Sequence, residues 1–195
     1  NVLGMNDGNG IHLDGATSTS IINNYIGLRW EGAFDFGNKL HGILFSDGSH
    51  DNIIGGSGTG EGNLIGFNDG YGIKLTGSTT HNNQILGNII GAPINWGWEA
   101  GNGLHGIGIY DGAHHNIIGT SASGAGNVVL DSGWSGVVGP SVARATVGGS
   151  RGTIGGRPRA TSAARLHRVA VGCGLLRGVT GVCGAGRLHP GCGGR

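Results

Sequence analysis

The sequence predicts an all-β solenoid built from turns of about 30 residues, each holding three short strands. Three observations lead there. Gly followed by Ile or Val recurs at Gly10, Gly42, Gly72, Gly106 and Gly136, at intervals of 32, 30, 34 and 30 residues. The opening NVLGMNDGNGI (1–11) returns as NLIGFNDGYGI (63–73), identical at seven of eleven positions. No segment sustains the 3.6-residue apolar period of a helix. The apolar pieces are instead three or four residues long, rich in Ile, Leu and Val, and bounded by Gly, Asn, Asp, Ser or Thr, which is the grammar of strands and turns.

The elements follow in order within each turn. The first strand reads G-I-x-L: GIHL, GILF, GIKL, GIGI. Alternation along a strand sends Ile11, Ile43, Ile73, Ile107 and Val137 inward, with Leu13, Phe45, Leu75 and Ile109 as a second inward column. The second strand is N-I-I-G or a relative, and the third is G-N-L-I or N-Y-I-G. Alternate copies match best: GILFSDGSHDNIIGG (42–56) with GIGIYDGAHHNIIGT (106–120), SIINNYIG (20–27) with QILGNIIG (84–91), and EGNLIGFN (61–68) with AGNVVLDS (125–132). The repeating unit is therefore a pair of turns of 62–64 residues, and the chain is expected to begin within a unit of a longer repeat protein. Asn recurs at turns, as Asn1, Asn63 and Asn127, as Asn52 and Asn116, and as Asn24 and Asn88, where stacked amides can bond along the axis.

The net charge of +1 hides two unlike segments. Residues 1–139 hold all eleven acidic residues and only Arg29, Lys39 and Lys74 as strong bases, a net of −8. Residues 140–195 hold nine Arg, no acid, and the three cysteines Cys173, Cys183 and Cys192. Residues 140–156 read as a degenerate repeat or transition, with RATVGG and GTIGG as fading copies. Residues 157–195 form an Arg/Gly/Ala-rich tail expected not to fold with the solenoid. A reading-frame shift would produce this change; the alternative is a genuine basic segment. No aromatic residue follows Trp134, so the tail lacks a base-stacking platform and nucleic acid is not an expected partner. No apolar run reaches the ~18–20 residues of a membrane-spanning helix.

The G-I-x-L, N-x-I-x-x-N-x-I-G and D-G-x-x-x-N-I-I-G-G elements resemble right-handed parallel β-helix repeats of the pectin-lyase-like superfamily, and above all the Asn/Gly-rich repeats of bacterial secreted and surface proteins. The resemblance covers residues 1–139. It implies a right-handed coil and a secreted or cell-surface location in bacteria. It leaves function open, because this scaffold carries lyases, glycosidases, epimerases, tailspikes and adhesins. The Asn-x-Asp, Asp-Asp, Gly-His-Gly and Arg-x-Lys motifs of polygalacturonase-like sites are missing; the nearest match is Leu-His-Gly at 40–42 and 104–106. The Asp-Pro-His-Glu signature of mannuronan epimerases and the Arg-x-x-Pro-x-x-Arg pattern of pectate lyases are also missing.

Two functional expectations follow. The first is a non-catalytic secreted or cell-surface stalk or adhesin that contacts polysaccharide. LRWEGAFDFGNKLHGI (28–43) and INWGWEAGNGLHGI (94–107) both place Trp-Glu before Gly-Asn and Leu-His-Gly-Ile. Trp30 with Glu31 and Trp98 with Glu99, joined by Trp96, Phe34 and Phe36, would offer aromatic faces to sugar C–H bonds and carboxylates to hydroxyls. The second is a lyase or epimerase acting on uronic-acid polymers. It rests on two outward columns of the first strand: His12, Leu44, Lys74, Gly108 and Asp14, Ser46, Thr76, Tyr110. Lys74 would be the base and Asp14 a Ca2+ ligand or charge partner, with His12 and Tyr110 on the same face. Ca2+ enters only with the lyase reading, and no other cofactor is implied.

No metal site is expected. His41 recurs at His105, and His50 at His114, but in turns two apart, which separates each pair by roughly 10 Å. These histidines read as repeat positions at strand starts or corners, and His114-His115 as a turn dipeptide without a partner.

Overall fold

The computed structural model describes residues 1–29, 35–92 and 100–139, and these form a parallel β-solenoid of about four turns with about 32 residues per turn. No helix occurs among them. Their fourteen strands form three sheets, each taking its strands from successive turns. The first sheet contains β1 (Val2–Leu3), β4 (Tyr25–Ile26), β7 (Leu64–Ile65), β10 (Ile89–Ile90) and β13 (Val128–Val129). The second contains β2 (Ile11–Asp14), β5 (Ile43–Ser46), β8 (Ile73–Thr76), β11 (Ile107–Tyr110) and β14 (Val137–Val138). The third contains β3 (Ser20–Ile21), β6 (Ile53–Gly55), β9 (Gln84–Leu86) and β12 (Ile117–Ile118).

The strands pair parallel and in register, so each position meets its counterpart one turn away. Ile11 faces Ile43, Ile43 faces Ile73, Ile73 faces Ile107, and Ile107 faces Val137. The two inward columns expected of the first strand are both present. Their central members Ile43, Phe45, Ile73, Leu75 and Ile107 are fully buried. The other two sheets add Ile54, Ile85 and Ile118, and Ile26, Ile65 and Ile90. The interior is therefore four apolar columns running along the axis.

Three asparagine ladders, buried through their middle rungs, run beside these columns. Asn1, Asn24, Asn63, Asn88 and Asn127 form one, joined by Nδ2–H donation to the next Oδ1 at 2.9–3.0 Å. Asn6, Asn38, Asn68 and Asn102 form the second. Asn52, Asn83 and Asn116 form the third. Asn88 shows why this residue type is required. Its Oδ1 accepts both the backbone N–H and the side-chain N–H of Asn63. Its Nδ2 donates to Asn127 Oδ1 and to the Ile54 carbonyl. All four bonding capacities of the amide are used with no access to water, which removes the penalty for burying it.

The corners are tight. At Gly55 (φ +81°) the backbone is left-handed, and an added Cβ would collide with the Leu86 carbonyl of the next turn. Asp51, Asn82 and His115 take the left-handed conformation at one repeated corner, a geometry that Asn, Asp and His tolerate better than most residues.

The proposed transition (140–156) and tail (157–195) lie outside the described residues, as do Trp30, Glu31, Phe34, Trp96, Trp98 and Glu99 of the Trp-Glu segments.

Replacing Asn88 by Ala is expected to destabilise the fold by about 3 kcal/mol or more, because it orphans buried partners on two sides. Urea unfolding followed by circular dichroism checks this. Asn82→Ala is the matched control. The Asn82 side chain is exposed, so the change is expected to stay within about 1 kcal/mol, most of it from the left-handed backbone there.

Candidate functional site

The second sheet carries both predicted outward columns. Its register places His12 against Leu44, Leu44 against Lys74, and Lys74 against Gly108. Asp14 stands against Ser46, and Tyr110 against Thr76. The four proposed catalytic residues do not meet at one point. His12 is exposed, and its Nε2 lies 2.8 Å from Ser46 Oγ. Asp14 is exposed at the end of β2. Lys74 lies two rungs from His12, roughly 10 Å by strand spacing.

Lys74 and Tyr110 do come together, through a residue that the strand pattern does not reach. Tyr71, which precedes β8 by two residues, meets Tyr110 edge-on at a centroid distance of 5.6 Å. Lys74 Nζ lies 5.6 Å from the Tyr71 ring centroid and 6.0 Å from that of Tyr110, within cation–π range. The two rings close over Gly108, where any Cβ would strike Tyr110 Cε2 and Tyr71 Cε1 at 2.7 Å. A glycine in the outward column of β11 thus makes room for the cluster. Burial first, and then a hydrogen bond and charge interaction with Tyr71, push the Tyr110 phenol above its ordinary value of 10.0, so it stays protonated as a donor.

Tyr71 also belongs to a column along the edge of this sheet. His41 meets Tyr71 edge-on at 5.0 Å, Tyr71 stacks on His105 at 5.5 Å, and His105 meets Trp134 at 5.6 Å. His41 and His105 do hold equivalent positions two turns apart, and Tyr71 fills the rung between them. Trp134 is 66% exposed, whereas His105 is 7% exposed and its Nδ1 has no hydrogen-bond partner. Burial lowers the His105 imidazole below its ordinary range, offset in part by a hydrogen bond to the Ser135 backbone. His41 Nδ1 accepts the Tyr71 backbone N–H at 3.1 Å. Burial, and secondarily the Lys74 charge, bring its pKa from 6.5 to about 4.

A second ring column lies at the corner before the third sheet. Isolated parallel bridges join Thr17 to His50, His50 to His81, and His81 to His114. The His50 and His81 rings stack at 5.0 Å and 9°; His81 and His114 lie 5.4 Å apart, tilted by 37°. His115 packs edge-on against His114 at 4.8 Å. Matching alternate turns pairs His50 with His114 and passes over His81 between them. A signal for it exists: SHDNII (49–54), THNNQI (80–85) and AHHNII (113–118) share x-His-x-Asn in three successive turns. The Nδ1–H of His50 donates to Asp51 Oδ2 at 2.8 Å, and this bond is the main reason the Asp51 carboxyl lies below its ordinary value.

The Trp-Glu segments are rooted at the corner between the first and second sheets. Leu28 and Asp35 form an antiparallel bridge across the base of one, and Arg29 lies 5.9 Å from the Phe36 ring centroid. Ala92 and Ala100, both buried, bracket the other. Comparison with protein-family models, with curated proteins and with solved structures finds no match.

Because His41 resists protonation in the fold, acid should weaken the solenoid. The unfolded imidazole takes up a proton near 6.5 and the folded one only near 4. Stability is therefore full above the higher value, falls as pH drops between the two, and has lost His41's whole share below the lower. His41→Asn should flatten that part of the profile. The new side chain does not titrate there, and the bond from the backbone N–H at position 41 to Asn9 Oδ1 does not depend on the imidazole. Thermal melting across this pH range reads the difference.

Proposed function

We propose that this solenoid is a non-catalytic, polysaccharide-contacting segment of a secreted or cell-surface bacterial protein, acting as a stalk or adhesin. Membership of the pectin-lyase-like superfamily belongs to the same proposal and rests on the G-I-x-L and N-I-I-G elements. The observation that carries the reading is the ring column in which the buried His105 links Tyr71 to the exposed Trp134, with His41, Tyr110 and Lys74 beside Tyr71. Its members follow one another along the solenoid axis. An extended sugar chain presents alternating C–H faces and polar groups over a comparable length, and aromatic rings with one cation complement both. Lys74 favours a chain bearing carboxylates or sulfates. Trp30, Glu31, Trp96, Trp98 and Glu99 remain part of the proposal as flanking contacts, since the residues that bracket their segments stand at the corner adjoining this column.

A second reading, a lyase or epimerase on uronic-acid polymers, draws on the Lys74–Tyr110 pair: a protonated phenol beside an amine could serve as acid and base. Bound Ca2+ would be expected with it, near Asp14.

Affinity electrophoresis in gels containing pectate or alginate distinguishes the two. The binding reading expects retardation of the chain, weakened about three- to tenfold by Tyr71→Ala or Lys74→Ala, with the sugar recovered intact. Accumulation of unsaturated uronates with Ca2+, abolished by Lys74→Ala, would establish the enzyme instead. Neither retardation nor product with any acidic polysaccharide would remove both.

A further inference from the structure

We propose that the His50–His81–His114 column binds a divalent late first-row transition-metal ion through the Nε2 atoms of two neighbouring imidazoles, with His81 common to both available pairs. Three observations converge on this. The rings sit on consecutive rungs at 5.0 and 5.4 Å, held there by parallel bridges between their backbones. The outer two have their tautomer set. His50 Nδ1–H donates to the Asp51 carboxylate and His114 Nδ1–H to the Gly112 carbonyl at 3.1 Å. Each bond leaves Nε2 bare, with its lone pair free for a metal, and a carboxylate or carbonyl behind the ring is the usual support for a ligating imidazole. The column also faces water: His50 and His81 are half-buried and His114 is exposed.

Two Nε2 atoms sharing an ion with bonds of about 2.0–2.1 Å must lie within roughly 4 Å of each other. Each lone pair lies in its ring plane, so neighbouring rings must turn out of their stack until the planes meet at the ion, a larger turn for His50 and His81 at 9° than for His81 and His114 at 37°. Side chains on an open corner can do so without disturbing the rungs beneath. Among the described residues no three His, Cys, Asp or Glu groups are already gathered around a point. The site is therefore an open pair, with water completing the coordination. Such a site takes its ions in the general order of divalent-metal affinity, so Cu2+ binds best and is the probe of choice.

The test uses the whole 195-residue chain with Cys173, Cys183 and Cys192 alkylated, so that thiols do not compete. Substoichiometric Cu2+ should broaden the imidazole NMR signals of His50, His81 and His114 before those of His12, His41 and His105. Isothermal titration should show an ion lost, or its affinity reduced at least about tenfold, in His81→Gln, which belongs to both pairs. Unchanged binding by a folded His81→Gln, or broadening that begins at other histidines, would overturn the proposal. Because the NMR experiment needs no substitution, it decides the matter even if His81→Gln does not fold.

Discussion

The asparagine amide, bonded to the turns on either side of it, is the contact on which the solenoid depends. A parallel strand two to four residues long has few ladder bonds of its own, and each turn exposes its apolar face unless another turn covers it. The buried ladders fix the one relative placement that works. A slip of one residue would turn every inward Ile to solvent and also break the Oδ1 and Nδ2 bonds of Asn24, Asn63, Asn88 and their counterparts. Apolar burial supplies most of the driving force, and the amides supply the register. Neither function could be exchanged for the other, since an Ile column tolerates small shifts and a bonded amide does not.

The same repetition shapes what the surface can do. In-register stacking makes each side chain the neighbour of its own counterpart, about 5 Å away. Rings therefore gather into columns, as in His41–Tyr71–His105–Trp134 and His50–His81–His114. Repetition is less suited to bringing unlike groups to a point. His12 and Asp14 stay in their own columns, and the cluster of Lys74 with Tyr71 and Tyr110 forms where a glycine interrupts the pattern at Gly108.

Much of this architecture was legible in the sequence because strand alternation and turn spacing are both discrete. The inward columns, the outward columns of the second sheet and the recurrence of Asn1, Asn63 and Asn127, of Asn24 and Asn88, and of Asn52 and Asn116 follow from counting, whereas the Asn6–Asn38–Asn68–Asn102 ladder and the Asn83 rung were missed. What counting missed lies off the strands. Tyr71 sits just before a strand, where His41 and His105 stand in the neighbouring turns, and His81 sits at a corner whose x-His-x-Asn recurs in three successive turns, but matching alternate turns draws attention away from the turn between them. The convergence of Tyr110 on Lys74 was hidden for a different reason. The two belong to different columns and different rungs, and only the missing Cβ of Gly108 lets the rings lean across.

The side-chain links within the three asparagine ladders all run the same way: the lower-numbered turn gives the hydrogen and the higher-numbered turn receives it. The amide dipoles therefore add instead of cancelling, and the axis has a direction. Any cross-section through the ladders presents hydrogens on one side and oxygens on the other. A further turn can be matched to such a surface in one orientation only, so growth by this chemistry is directional. Two identical surfaces brought face to face would oppose donor to donor or acceptor to acceptor. The ladders that hold the turns in register thus also disfavour a two-fold pairing through such cross-sections, and favour an open, head-to-tail succession of turns.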